Sequence, residues 1–92
     1  MNTIKVIHNN DTKFILDIVK KFKSRAYIEP YNFDTPRLRK KIHRMQEEFG
    51  SKKFPLIIIE DENMEEIAAI WSESGPDWEL TIENVLNQLE EL

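Results

Sequence analysis

Cysteine is absent from this chain, and disulfides, thiolate metal sites and thiol redox chemistry go with it. A reducing compartment is the default. Glycine occurs only at Gly50 and Gly75, so no phosphate-cradling glycine loop can be drawn and Ser72 and Ser74 lack a nucleophile elbow. No apolar run approaches the roughly 18 residues of a membrane span, and Met1-Asn2-Thr3-Ile4-Lys5 lacks the apolar stretch of a signal peptide. The expectation is a cytoplasmic protein. Repeats and low-complexity stretches are missing too, which leaves no obvious linker or tail. The most informative absence is one of charge: from Phe54 to Leu92 there is no Lys or Arg.

All thirteen basic residues precede Phe54 beside six acids, for +7, and the remaining eleven acids follow it, for −11, which gives the net −4. Compact domains usually mix the two signs over their surface, so this split is the main functional clue. At 92 residues, 40% apolar and 33% charged, the chain suits one domain over 1–92 with a single core.

Ile4, Val6 and Ile7 before His8-Asn9-Asn10-Asp11 read as a strand ending in a polar turn, with Asp11 or Thr12 as helix cap. Phe14, Ile15, Ile18, Val19 and Phe22 form the buried stripe of a helix to about Lys23, with Lys13, Lys20, Lys21 and Lys23 on its wet side. Ala26 to Phe33 reads as a strand that Pro30 confines to a sheet edge. Thr35 as cap and Pro36 at the first helical position open a second helix, along which Leu38, Ile42, Met45 and Phe49 share a face until Gly50 stops it. Its other face carries Arg37, Arg39, Lys40, Lys41 and Arg44. Leu56 to Ile59, after Pro55, suits a central strand buried on both sides. Asp61-Glu62-Asn63-Met64 turns into a second strand, Glu66 to Trp71. Beyond Gly75-Pro76, Leu80 and Val85 can staple a Thr81 cap at the start of a last helix carrying Ile82, Val85, Leu86 and Leu89.

The order is β-α-β-α-β-β-α: an α/β domain with a four-stranded mixed sheet and helices on its faces. This layout, together with Lys53-Phe54-Pro55-Leu56-Ile57 before the third strand, resembles the thioredoxin and glutaredoxin fold over nearly the whole chain. The resemblance implies a cis-proline at Pro55. Where that family has Cys-x-x-Cys, this chain has Asn10-Asp11-Thr12-Lys13-Phe14, so the family's redox activity does not carry over.

The candidate site is the acidic half: Glu60, Asp61, Glu62, Glu65 and Glu66 around the hairpin, Glu73, Asp77 and Glu79 around the next loop, and Glu83, Glu90 and Glu91 on the last helix. Carboxylates two apart on a strand lie about 7 Å apart, and those four apart on a helix about 6 Å. Those spacings are comparable with neighbouring phosphates along a nucleic-acid strand, whose charge basic grooves are tuned to hold. A solvated acidic surface is the plain alternative, but solubility alone gives no reason to exclude every Lys and Arg. As metal ligands, Asp61-Glu62-Asn63 with Glu65 and Glu66 lack the spacing and glycine of an EF-hand loop. Paired carboxylates for acid and base catalysis can be drawn almost anywhere in so acidic a segment.

Several other features compete with the acids. The run Arg37 to Arg44, near Tyr27, Tyr31 and Phe33, could grip nucleic-acid phosphates, although the chain's net negative charge argues against a dedicated nucleic-acid binder. The two charged portions could also pair with each other inside the chain or across a homodimer. His8 and His43 form no catalytic or metal pair without a positioned third group. Of Trp71 and Trp78, one is expected in the core and the other as an anchor for a partner. In size, acidity and lack of catalytic residues the chain is similar to small phage anti-restriction proteins that act as DNA mimics. That resemblance implies an inhibitor of a restriction nuclease or other basic DNA-binding protein in the host cytoplasm. No enzyme activity, cofactor or metal is expected, and a redox-inactive thioredoxin-like adaptor around Asp11, Phe54 and Pro55 is the alternative.

Overall fold

The computed structural model describes residues 1–71 and 77–91. Four strands form one mixed sheet: β1 (Asn2–His8), β2 (Ala26–Asn32), β3 (Leu56–Glu60) and β4 (Glu66–Trp71), in the order β2-β1-β3-β4. β1 and β2 are parallel, with Asn2 opposite Ala26, whereas β1 with β3 and β3 with β4 are antiparallel. Every residue of β3 is buried: Leu56 to Ile59 as their unbroken apolar run predicts for an inner strand, and Glu60 against the sequence expectation. β2 lies at the edge, where Pro30 forfeits no needed donor.

Helices cover both faces. The first, α1 (Phe14–Val19), extended by a 3-10 turn over Lys20–Phe22, shares one face with α3 (Trp78–Glu90). There Ile15, Val19 and Phe22 meet Ile82 and Leu86 over Ile4, Val6, Ile57, Ile59 and Ile70. On the other face α2 (Arg39–Phe49) packs Ile42, Met45 and Phe49, with Leu38 of the turn before it, on Ile7, Tyr31, Leu56 and Ile58. Alternation along β1 and β3 divides the side chains between these two cores.

The helix ends differ in part from the sequence reading. Phe14, expected in the stripe, is 51% exposed at the rim of α1. The turn before α1 is closed by Asn9 and Thr12, not capped by Asp11: Asn9 N donates to Thr12 Oγ1 at 3.0 Å, and Thr12 Oγ1 to Asn9 Oδ1 at 2.8 Å. Pro36 opens a 3-10 turn over Pro36–Leu38 before α2 begins, and Thr35 makes no side-chain cap. Gly50 ends α2 with φ 66°, as Ser51 N donates to Gln46 O and Gly50 N to Glu47 O. At α3 the cap is Asp77, whose Oδ1 accepts from Leu80 N at 2.9 Å; Thr81 lies inside the first turn and donates to Asp77 O at 2.7 Å. With Asp77 as cap, Leu80 lies inside α3 and is 52% exposed, so it does not hold the position before the cap that the expected staple with Val85 requires. The peptide bond between Phe54 and Pro55 is cis. The sequence's Gly75-Pro76 break lies outside the described residues.

Candidate acidic interface

Strand direction sets the polarity of the molecule. β1 starts at Asn2, β3 ends at Glu60 and β4 begins at Glu66, so the hairpin between them sits beside the N-terminus. α3 reaches the same end at Glu90, where Arg25 holds it: Nε donates to Oε1 and Nη2 to Oε2, both at 2.9 Å, and Nη2 also donates to Asn87 Oδ1 at 2.6 Å. Asp61, Glu62, Asn63 and Glu90 then surround an open hollow of about 520 Å³, completed by Asn2, Ile67 and Leu89. Acidic groups line it together with two apolar side chains.

The hairpin is built by its own acid. Asp61 Oδ1 accepts from Asn63 N at 2.8 Å and from Glu65 N at 2.9 Å, while Asp61 N donates to Glu65 O at 2.9 Å. This local bonding lets Met64 adopt φ 64°, leaving its side chain 81% exposed. A bulge between Ile59 and Glu60 sets Glu66 opposite Glu60.

The eleven acids do not form one array. Glu60, expected to face a partner, is instead only 6% exposed and bonded to Lys5 Nζ at 3.0 Å. A neighbouring cation was required there, because a carboxylate held in a sheet against α2's core could not stay charged alone. Burial opposes the charge on Lys5, but the hydrogen bond and charge of Glu60 outweigh it and raise the amine above its ordinary value. Glu79 pairs with Lys21 at 3.1 Å, Glu90 with Arg25, and Glu62 with the N-terminal amine at 3.4 Å. The hydrogen bond from Arg25 lowers the Glu90 carboxyl. Asp77 caps α3, far from the hairpin. Glu83 is exposed midway along α3, and Glu65, Glu66 and Glu91 are exposed at the hairpin end. Burial, then a hydrogen bond and repulsion from Glu48 and repulsion from Glu60, push the Glu66 carboxyl up. Glu73 lies outside the described residues.

The opposite character gathers elsewhere. Arg37, Arg39, Lys40, Lys41 and Arg44 are exposed, and among the described residues none of them makes an ion pair with a carboxylate. Arg39 Nε donates to Phe33 O at 3.0 Å and its guanidinium lies 5.2 Å from the Phe33 ring, while Lys41 lies 5.1 Å from the ring of Tyr31. Phe33 also meets Phe54 at 5.2 Å and His43 edge-on at 5.4 Å. Nearby, Asn10 N donates to Asp34 Oδ2 at 2.7 Å, tying the turn before α1 to the segment after β2. His8 is buried, its Nδ1 3.2 Å from Asn9 O. Neither tryptophan is an exposed anchor: Trp71 packs on the α2 core and Trp78 on the α1 and α3 core.

Sequence reasoning missed the cations that answer the acids, Lys5, Lys21 and Arg25, and the apolar lining by Ile67 and Leu89. Their separations in sequence, 58 residues for Lys21 with Glu79 and 65 for Arg25 with Glu90, leave no local pattern to read. Among the described residues no three or more His, Asp or Glu gather as a metal-holding group, and no helix is long and apolar enough to cross a membrane. No protein-family model matches the chain, and no curated protein matches it.

Proposed function

We propose that this protein is a non-enzymatic binding protein whose acidic end occupies the nucleic-acid groove of a basic DNA-binding protein or nuclease. The observation that carries this reading is the meeting of Asp61, Glu62 and Glu90 around one hollow, with Glu65, Glu66 and Glu91 exposed at the same end. The mimicking surface is narrower than the whole acidic half, since Glu60, Glu79 and Glu90 are answered by Lys5, Lys21 and Arg25 and Glu62 lies 3.4 Å from the N-terminal amine; Glu90 lines the hollow as a paired acid, and Glu65, Glu66 and Glu91 are the exposed acids beside it. Apolar Ile67 and Leu89 give the aliphatic stem of a partner's Lys or Arg a seat while its head meets the carboxylates.

A second reading is a redox-inactive thioredoxin-like adaptor that binds a protein at the opposite end. The contact of Phe54 with Phe33, next to the turn that Asn10 and Asp34 tie together, favours it. One competition experiment separates the two. Purified protein is titrated against DNA for a basic DNA-binding partner, using the combined Glu62→Gln, Glu65→Gln, Glu66→Gln and Glu91→Gln variant and, separately, Phe54→Ala. Mimicry expects the acid variant to lose roughly tenfold or more of its competing strength, with Phe54→Ala unchanged. Full competition by the acid variant removes this reading. A selective loss in Phe54→Ala establishes the adaptor.

A further inference from the structure

We propose that the outer face of α2 and of the turn before it binds the phosphate backbone of duplex DNA, gripped by Arg37, Lys40, Lys41 and Arg44. This goes beyond the proposed function and uses a different part of the molecule, of opposite charge. The four cations lie three and four residues apart, so they stand on one side of the helix over about 10 Å. Arg39 flanks them. All five are exposed, and among the described residues none is paired with a carboxylate, although the chain has seventeen acids for its thirteen Lys and Arg.

Helix stability does not explain them. The positive end of a helix dipole repels cations, yet Arg37, Arg39, Lys40 and Lys41 crowd the start of α2, while Glu47 and Glu48 stand at its negative end. Pairing across the fold does not explain them either. α1 shares its sheet face with α3, whose Glu79 and Glu90 answer Lys21 and Arg25, whereas α2 covers the other face by itself. Three of the chain's four arginines are here, and the planar fork of arginine matches phosphate oxygens two at a time. Arg39 is already steadied by Phe33, through Nε on its carbonyl and the guanidinium on its ring, which leaves the two terminal nitrogens free to donate.

The occupant follows from charge and from what the face lacks. No aromatic platform is open for the bases of a single strand: Tyr31 is nearly buried beneath Lys41, and Phe33 is taken by Arg39, His43 and Phe54. Between Arg37 and Arg44 there is no Ser, Thr, Asn or Gln to bond the 2′-hydroxyls through which duplex RNA is recognised. Cations alone suit the backbone of duplex DNA, which carries one charge per about 1.7 Å of axis. The acidic end does not cancel this attraction. β2 ends at Asn32 beside His8 and Thr35 N donates to Asn32 O, so α2 starts away from the hairpin, and its last turn, at Glu48, reaches Glu66. The eleven residues of α2 set its first turn roughly 16 Å from that contact, beyond the screening length of about 8 Å at physiological salt.

The test is fluorescence anisotropy of a labelled DNA duplex of about 20 base pairs, with one of its strands alone as a second probe, at about 50 to 200 mM salt. The duplex is expected to bind with a Kd of about 1–100 μM, more tightly than the single strand, and log K to fall against log salt with a slope of about −3 to −4. A combined Arg37→Gln, Lys40→Gln and Arg44→Gln variant should bind about tenfold more weakly or worse, with the slope flattened by about 2 to 3. A Lys13→Gln, Lys20→Gln and Lys23→Gln variant, which removes equal charge from exposed positions on and beside α1, should stay within about twofold of the parent. No duplex binding at the lowest salt, equal losses in the two variants, or a single strand bound as tightly as the duplex overturns the proposal. The α2 variant should also melt no lower than the parent, because the cations it removes oppose the helix dipole. A lower melting temperature would mean that they serve the fold, and overturns the proposal as well.

Discussion

Among single residues, Lys5 has the clearest structural duty. Its side chain is only partly exposed and answers a Glu60 carboxylate that is almost wholly buried. Lys5→Met would leave that carboxylate without its cation, at a cost of about 3 kcal/mol, read as a lower urea midpoint with an unchanged slope. Glu66 acts in the opposite sense. Its carboxyl is raised in the folded state, first by burial and then by Glu48 and Glu60. The folded chain therefore holds a proton that the unfolded chain has released, and stability falls as pH rises from the ordinary value of 4.5 through the raised one. Glu66→Gln is expected to stabilise the protein at pH 7 by about 0.5 kcal/mol or less, since the side chain is exposed. Thermal melts of both proteins should converge below about pH 4, where the carboxyl is protonated in the folded and the unfolded chain alike. Neither duty was legible in the sequence. Glu60 and Glu66 read alike there, and only the neighbours that the sheet and α2 bring up make one a paired acid and the other a repelled one.

The elements themselves were largely legible, because their signals are local. The 3.6-residue stripe of Leu38, Ile42, Met45 and Phe49 and the Gly50 stop gave α2 and its end, and the run Leu56 to Ile59 gave the inner strand. Helix starts were less legible. The sequence reading took Thr81 as the cap of α3, but the cap is Asp77, whose carboxylate accepts from Leu80 N and also meets the positive end of the helix dipole. Asp77→Ala should cost about 1 kcal/mol in chemical denaturation. Asp77→Asn, which keeps the accepting oxygen, should recover most of it. Thr81→Ala is expected to cost less than Asp77→Ala, and the reverse order would return the cap to Thr81.

At the scale of the whole molecule, the charge split of the chain becomes a polarity in space, with the hairpin and the end of α3 acidic and the outer face of α2 basic. Between them, Lys21 and Arg25 neutralise part of α3. The proposed capture of a basic partner by the acidic end is therefore expected to weaken steeply with salt, because the exposed charges Glu62, Glu65, Glu66 and Glu91 are screened over about 8–10 Å at 0.1–0.15 M. Competition measured from low to physiological salt should fall by more than that of the variant lacking those four charges, and equal slopes would count against a charge-based contact. The sequence by itself determined the order of the elements, the single domain and the separation of the two charges along the chain, since periodicity and composition are local properties. Only the tertiary structure decided which acids stand exposed together. That depends on long-range strand direction and on cations up to 65 residues away, which no spacing in the chain encodes.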